Sequence, residues 1–149
     1  MHSCNHNHSQ QERAALEWLH SEITAISQHL NALIIDLKAV VHRSQGDPGT
    51  DPGTVWVQPA SVILDNGRLT GHLPAHPGEI ADGRVLSDDD YDDMIRCPFT
   101  SNGEAFLDLT LSSGDRLWFE ADQLTITLTG EPEFLEGFVP SSVEDEPGA

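Results

Sequence analysis

Basic residues are scarce in this chain. Seven Lys and Arg residues stand against 25 Asp and Glu residues, which gives a formal net charge of −18. No Lys or Arg follows Arg116, although eight carboxylates lie between Glu120 and Glu146. Proteins hold nucleic acids and anionic membranes through Lys and Arg side chains, so the charge excludes both as direct partners. A basic protein or a metal ion is compatible with it.

Cysteines and long hydrophobic stretches are also few. The two cysteines, Cys4 and Cys97, lie far apart in the sequence and are expected to remain free thiols. No apolar stretch approaches the roughly 18 residues of a membrane span, and the chain begins without the charged and apolar regions of a signal peptide. We therefore expect a cytoplasmic protein.

Catalytic motifs are missing from the sequence. It contains no G-x-S-x-G, Walker A, H-E-x-x-H or dinucleotide-binding glycine motif, and Lys38 is its only lysine. Cys97 is not followed by the arginine of a phosphatase phosphate-binding loop. Two carboxylates in a cleft could serve a glycosidase, but so many acidic residues make that pattern uninformative. The sequence favours a protein without enzymatic activity and without a cofactor.

The first third of the chain predicts a long amphipathic helix over residues 9–43. Ser9 and Glu12 form a capping box at its start. Apolar residues then follow with alternating spacings of three and four, typical of one helical seam: Leu16, Leu19, Ile23, Ile26, Leu30, Leu33, Leu37 and Val40.

Three interpretations of this stripe remain open. The helix can lie across the sheet of its own domain, or it can form a homodimeric coiled coil. The residues proposed for that dimer interface are Leu16, Leu19, Ile23, Ile26, Leu30 and Leu33. The third interpretation ends the helix near Leu30 and makes residues 32–41 a strand, because β-branched residues are frequent there.

The rest of the chain is typical of a β domain. Residues 44–54 contain a doubled Asp-Pro-Gly-Thr and predict a linker of turns. Within residues 55–140, apolar residues alternate over 106–111, 117–120 and 124–128, which predicts a meander of three strands. The sequence Asp65-Asn66-Gly67 predicts a further hairpin. We expect an α+β fold, in which the long N-terminal helix precedes an antiparallel sheet or sandwich of five to seven strands.

Both ends of the chain are expected to be flexible tails. Residues 141–149 combine acidic residues with Pro and Gly, and residues 1–8 are rich in histidine. The first tail carries four side chains that suit transition metals: His2, Cys4, His6 and His8. Because all four lie in one short polar stretch, ordering them would cost entropy without burying a core. Weak divalent-metal binding and a plain disordered tail therefore both remain as interpretations.

The densest charge of the chain lies in a short acidic segment: Asp88, Asp89, Asp90, Tyr91, Asp92 and Asp93. It can dock a basic partner, because docking needs only negative potential. It can also hold a divalent ion, although the glycine and closing glutamate of a calcium loop are missing. A solvated loop that keeps the protein soluble is the third interpretation.

Several motifs resemble those of an uncharacterised family of small bacterial β-rich proteins, over about residues 64–138. They are Tyr91-Asp92-Asp93-Met94-Ile95, Pro98, Ser113-Gly114-Asp115, Leu128-Thr129-Gly130-Glu131-Pro132, Phe134 and Phe138. The chain departs from that pattern at Asp93, Arg96 and Cys97. The resemblance implies a β fold, and it implies no activity, since none is assigned to the family.

Together these observations favour a non-enzymatic interaction protein that offers an acidic surface to a basic protein partner. Inhibitors and immunity proteins of nucleases and toxins, and DNA mimics, have similar compositions. The alternative is a β domain that binds a small molecule or a metal in a pocket between sheet and helix. That pocket would use Tyr91, Trp56, Trp118 and histidines.

Overall fold

The structure is a computed structural model and describes residues 12–139. This part of the chain contains twelve strands and no helix. The strands are β1 (Arg13–His29), β2 (Ala32–Ser44), β3 (Gly53–Asp65), β4 (Arg68–Thr70), β5 (Gly78–Leu86), β6 (Asp90–Asp92), β7 (Met94–Cys97), β8 (Phe99–Thr100), β9 (Ala105–Leu111), β10 (Arg116–Ala121), β11 (Gln123–Leu128) and β12 (Glu133–Phe138). The expected α+β fold is therefore wrong, and the described residues are all-β. They include no helix that is long and apolar enough to cross a membrane.

The strands form one antiparallel sheet that curls into a half-barrel. Its main order is β4-β10-β9-β5-β1-β2-β3-β11-β8, while β12 pairs with β3, β6 with β5 and β7 with β1. The long strands β1, β2 and β3 form a meander in the centre. The core lies on one face of the sheet and draws buried side chains from both ends of the order, such as Leu64, Leu109 and Phe119. A curled sheet can enclose a core in this way without a helix over its face.

The predicted helix over residues 9–43 is wrong because β-bulges imitate helical spacing. Leu16 and Ile23 are seven residues apart, so an unbroken strand would place them on opposite faces. The pairing of β1 with β2 advances five residues in β1, from Glu17 to Glu22, against two in β2. The three extra residues bring the two side chains back to the same face of the sheet, and both Leu16 and Ile23 are buried. Within the bulge His20 has a φ of 73°.

A second bulge in β1 has the same effect. It adds one residue between Ile23 and Ala25, so that Ile23 and Ile26, three residues apart, both pack against the core. By contrast, β2 has a plain alternation that places Ile35 and Leu37 in the core. The interpretation that made residues 32–41 a strand was therefore correct for that segment, but the helix it kept before Leu30 was not.

The proposed helical dimer interface does not exist as a seam. Its residues differ widely in environment: Leu16 and Ile23 are buried in their own chain, Leu19, Ile26 and Leu33 are partly buried, and Leu30 is 84% exposed. Leu30 lies in the turn between β1 and β2 with a φ of 56°. Dimerisation through an N-terminal helix is thus overturned together with the helix.

Trp18 joins β1 to the strands on its other side. Its side chain is fully buried against Gly83 of β5, where an added Cβ would lie 2.5 Å from Trp18 Cγ. Its backbone N–H donates to the carbonyl of Asp93 over 2.9 Å. Gly83 is thus required for close packing, because any side chain there would overlap the indole ring.

The predicted meander is correct for its first two strands only. β9 pairs with β10, and Leu107, Leu109 and Phe119 point to the core as their alternation predicted. β11, however, pairs with β3 and β8 on the other side of the half-barrel. The Asn66-Gly67 turn also leads to a different neighbour, since β4 pairs with β10 rather than with β3. The turn between β10 and β11 and the turn at Asn66-Gly67 are therefore corners, at which the chain crosses from one side of the half-barrel to the other.

Candidate functional site

The acidic segment forms part of strand β6, whose alternation separates its side chains. Tyr91 lies opposite Val85 of β5 and packs against the core, with its ring centroid 5.2 Å from that of Phe99. Asp90 and Asp92 are the neighbours of Tyr91 in the strand, so they point to the opposite face and are exposed. Tyr91 therefore anchors the segment, and the two aspartates face solvent.

The ends of the segment differ from each other. Asp88 and Asp89 belong to the turn between β5 and β6, where Asp89 is exposed. Asp93 instead supports the backbone at a φ of 66°. Its N–H donates to the carbonyl of Gly83, and its carboxylate accepts from the N–H of Leu19 over 3.3 Å. Burial raises the pKa of the Asp93 carboxyl above its ordinary value.

A row of ion pairs lies beside β6 on the same face. Asp108 of β9 accepts two hydrogen bonds from the Arg116 guanidinium, at 3.0 and 2.8 Å, and lies 3.5 Å from Arg84. The hydrogen bond from Arg116 holds the pKa of Asp108 below its ordinary value. The Arg116 guanidinium is thus committed to Asp108, whereas Arg84 lies between Asp108 and Asp90, whose carboxylate is 3.9 Å from it. The two arginines line a cleft of about 370 Å³ together with Asp82 and Asp92.

An apolar strip adjoins this row. Leu86 pairs with Phe106 across β5 and β9, and the ring of Phe106 lies 5.5 Å from that of Trp118 at an interplanar angle of 31°. All three side chains are partly exposed. In the alternation of their strands they point to the same side of the sheet as Arg84 and Asp108. They therefore lie on the face opposite the core. We call these three residues the aromatic strip.

The surface as a whole carries an excess of negative charge. We call its solvent-facing carboxylates the acidic face: Asp82, Asp88, Asp89, Asp90 and Asp92. With Asp108 they make six carboxylates against the guanidinium groups of Arg84 and Arg116, which leaves a net charge of −4. Charged side chains that surround a few aromatic rings are typical of protein-binding surfaces.

The other predicted site residues do not join this surface. The four proposed metal ligands, His2, Cys4, His6 and His8, lie outside the described residues. Within residues 12–139, no three His, Cys, Asp or Glu side chains converge as a metal site. Trp56 packs edge-on against Phe134 on the other half of the sheet. Burial raises the pKa of the Cys97 thiol to about 11, so it is a poor nucleophile.

Sequence reasoning missed the residues that surround the acidic segment. Arg84, Asp108 and Phe106 were not singled out, although all three occupy the solvent phase of alternating strands. Their polar or aromatic character at such positions was a usable signal. Their closeness to the acidic segment could not be predicted from the sequence, because it depends on β5 pairing with β9 across a long connection.

Comparison with known proteins adds no relative. No protein-family model, no curated protein and no solved structure matches the chain. The likeness to small bacterial β-rich proteins therefore remains a resemblance of short motifs.

Proposed function

We propose that the protein is a non-enzymatic binding protein whose acidic face docks a basic protein partner. The observation that carries the proposal is the position of the acidic face beside the aromatic strip. Asp90 and Asp92 share a face with Leu86 and Phe106, through direct pairings of β6 with β5 and of β5 with β9. A lone acidic loop would lack this apolar neighbour.

The two parts of the surface have different roles in binding. The carboxylates attract a positively charged protein over about one Debye length, roughly 8 Å at physiological salt, and raise its association rate. Leu86, Phe106 and Trp118 are then covered, and burial of such side chains supplies most of the affinity. A nuclease or toxin with a basic active-site surface has the matching chemistry.

The ionisation of the site fits binding better than catalysis. A general acid or base works best with a pKa near the operating pH. Asp108, the least exposed carboxylate of the cleft, has its pKa lowered by Arg116, so it is ionised at neutral pH and already paired. The expected cytoplasmic location rests on the sequence alone and belongs to this proposal.

Cross-linking with position mapping tests the proposal even though the partner is unidentified. A carbodiimide couples carboxylates to lysines in direct contact, so it should join a basic protein from the native host to Asp88, Asp89 or Asp90. High salt during coupling should remove these links, because screening weakens the attraction. Links that map to carboxylates elsewhere, such as Asp65 or Glu133, would contradict docking at the acidic face.

A further inference from the structure

A second cleft lies on the other half of the sheet and shares no residue with the acidic face. Its volume is about 460 Å³, and β1, β2, β3 and β12 contribute to it. A hydrogen-bonded pair forms its floor: the buried His42 places Nε2 2.9 Å from Oε1 of the partly exposed Glu17, with side-chain exposures of 8% and 21%. The two side chains satisfy each other in this contact, and the partly exposed Glu17 carboxylate lines the open cleft, where it can accept further hydrogen bonds.

The walls of the cleft are apolar. Val40 and Val55 come from β2 and β3, while Leu135 and Phe138 come from β12. The Phe138 ring meets His42 edge-on at 5.3 Å. Leu135 lies in the bulge of β12 and is 53% exposed. An apolar body of modest size would cover these side chains.

The polar side chains that line the cleft are two carboxylates and two histidines. Glu17 and Glu136 both line it, while the neighbouring His20 is engaged with Glu79 at 2.8 Å. Because an ionised carboxylate can only accept, the contact of His42 Nε2 with Glu17 is made by an N–H that donates to the carboxylate. Nδ1 of His42 is buried and finds no hydrogen-bond partner among residues 12–139. No Lys or Arg of the described residues lines the cleft beside the carboxylates of Glu17 and Glu136.

We propose that this cleft binds a small organic cation, namely a primary ammonium group on an apolar body. The ammonium group donates to Glu17 and Glu136, and His42 positions Glu17 from behind. The apolar body lies between Leu135 and Phe138, where the aromatic ring also attracts the cation. Charge complementarity and the apolar walls together select this class of ligand over anions and over fully polar amines.

Titration with phenethylamine, followed by amide and side-chain NMR, tests the proposal. Saturable shifts are expected at Val55, Leu135 and Phe138. Phenethyl alcohol, which has the same body without the charge, should bind at least about tenfold more weakly, because a charge-assisted hydrogen bond is lost. Glu17→Gln should weaken phenethylamine binding by about tenfold, while the glutamine oxygen can still accept from His42.

A matched pair on β12 keeps the test decisive if Glu17→Gln fails to fold. Glu136→Gln and Glu133→Gln both change an exposed residue of this strand, but only Glu136 lines the cleft. Glu136→Gln should weaken binding about threefold, and Glu133→Gln should leave it unchanged. The absence of saturable binding, equal binding of amine and alcohol, or equal effects of the two β12 variants would overturn the proposal.

Discussion

Leu16 and Leu30 provide a direct comparison between the β structure and the helix that the spacing predicted. The two residues are fourteen positions apart, so they occupy equivalent places in a heptad pattern. In the structure Leu16 is fully buried in β1, whereas Leu30 is 84% exposed in the turn after it. Truncating each side chain to alanine should therefore have very different effects on the free energy of unfolding.

The expected difference is large. Leu16→Ala leaves a cavity in a closely packed core and should cost about 3 kcal/mol, within the usual range for buried leucines. Leu30→Ala should change the free energy of unfolding by less than about 0.5 kcal/mol, as exposed side chains do. With a urea dependence of about 1.5 kcal/mol per M, the midpoint should fall by about 2 M for Leu16→Ala only.

Leu30→Gly adds a test in which the direction of the change in the free energy of unfolding distinguishes a turn from a helix. Leu30 has a φ of 56°, a backbone conformation that glycine adopts with less strain than leucine. The substitution should therefore raise the free energy of unfolding by up to about 1 kcal/mol, whereas the same change inside a helix would lower it by about that amount. Urea unfolding followed by tryptophan fluorescence measures all three variants. Equal losses for Leu16→Ala and Leu30→Ala, or a loss for Leu30→Gly, would refute the β1 assignment.

Three further predictions follow from single contacts. Gly83→Ala should lower the free energy of unfolding in urea by about 2 kcal/mol, because the added Cβ overlaps Trp18. In a Cys4→Ser background, Cys97 should react with iodoacetamide near pH 8 about a hundredfold more slowly than in urea, since its pKa of about 11 disfavours the thiolate. Asp108→Asn should lower stability at pH 7. Because Arg116 lowers the pKa of Asp108 below 3.8 in the native protein, the ionised carboxylate stabilises the fold above pH 3.8. Thermal unfolding should therefore show the full loss of stability for Asp108→Asn above that pH. The difference between the parent and the variant should shrink as the pH falls through the native pKa of Asp108.

Local alternation was readable from the sequence where the strands are regular. In β9 and β10 the burial of Leu107, Leu109, Leu117 and Phe119 follows from a period of two and a short turn. Both strands of that hairpin are adjacent in sequence, so a local pattern contains all the information that the pairing needs.

The pattern misled where bulges interrupt it. Extra residues in β1 give the helix-like spacing of Leu16, Ile23 and Ile26, and a bulge is not encoded by apolar periodicity. The alternation of Leu33, Ile35 and Leu37 in β2 was present but was outweighed by the longer heptad stripe. Continuity of the stripe across the turn at Leu30 was coincidental.

The candidate site could be predicted only in part, because it also depends on which strands form and pair. The acidic segment was visible as a run of charge, but its division by Tyr91 into core and solvent sides required a strand at β6. The aromatic strip and the Arg84–Asp108 contact depend on non-local pairing of β5 with β9. Such pairing is fixed by the whole half-barrel and leaves no local signature.

The association rate with the cross-linked partner, measured at low and high ionic strength, tests docking at the acidic face most directly. Two triple variants with the same net charge should be compared: Asp89→Asn/Asp90→Asn/Asp92→Asn on the face, and Glu22→Gln/Asp65→Asn/Glu133→Gln at exposed positions away from it. The face variant should associate about tenfold more slowly at low salt, with a flatter salt dependence, and the control should stay within about twofold of the parent. Equal rates for the two variants would contradict docking at the acidic face.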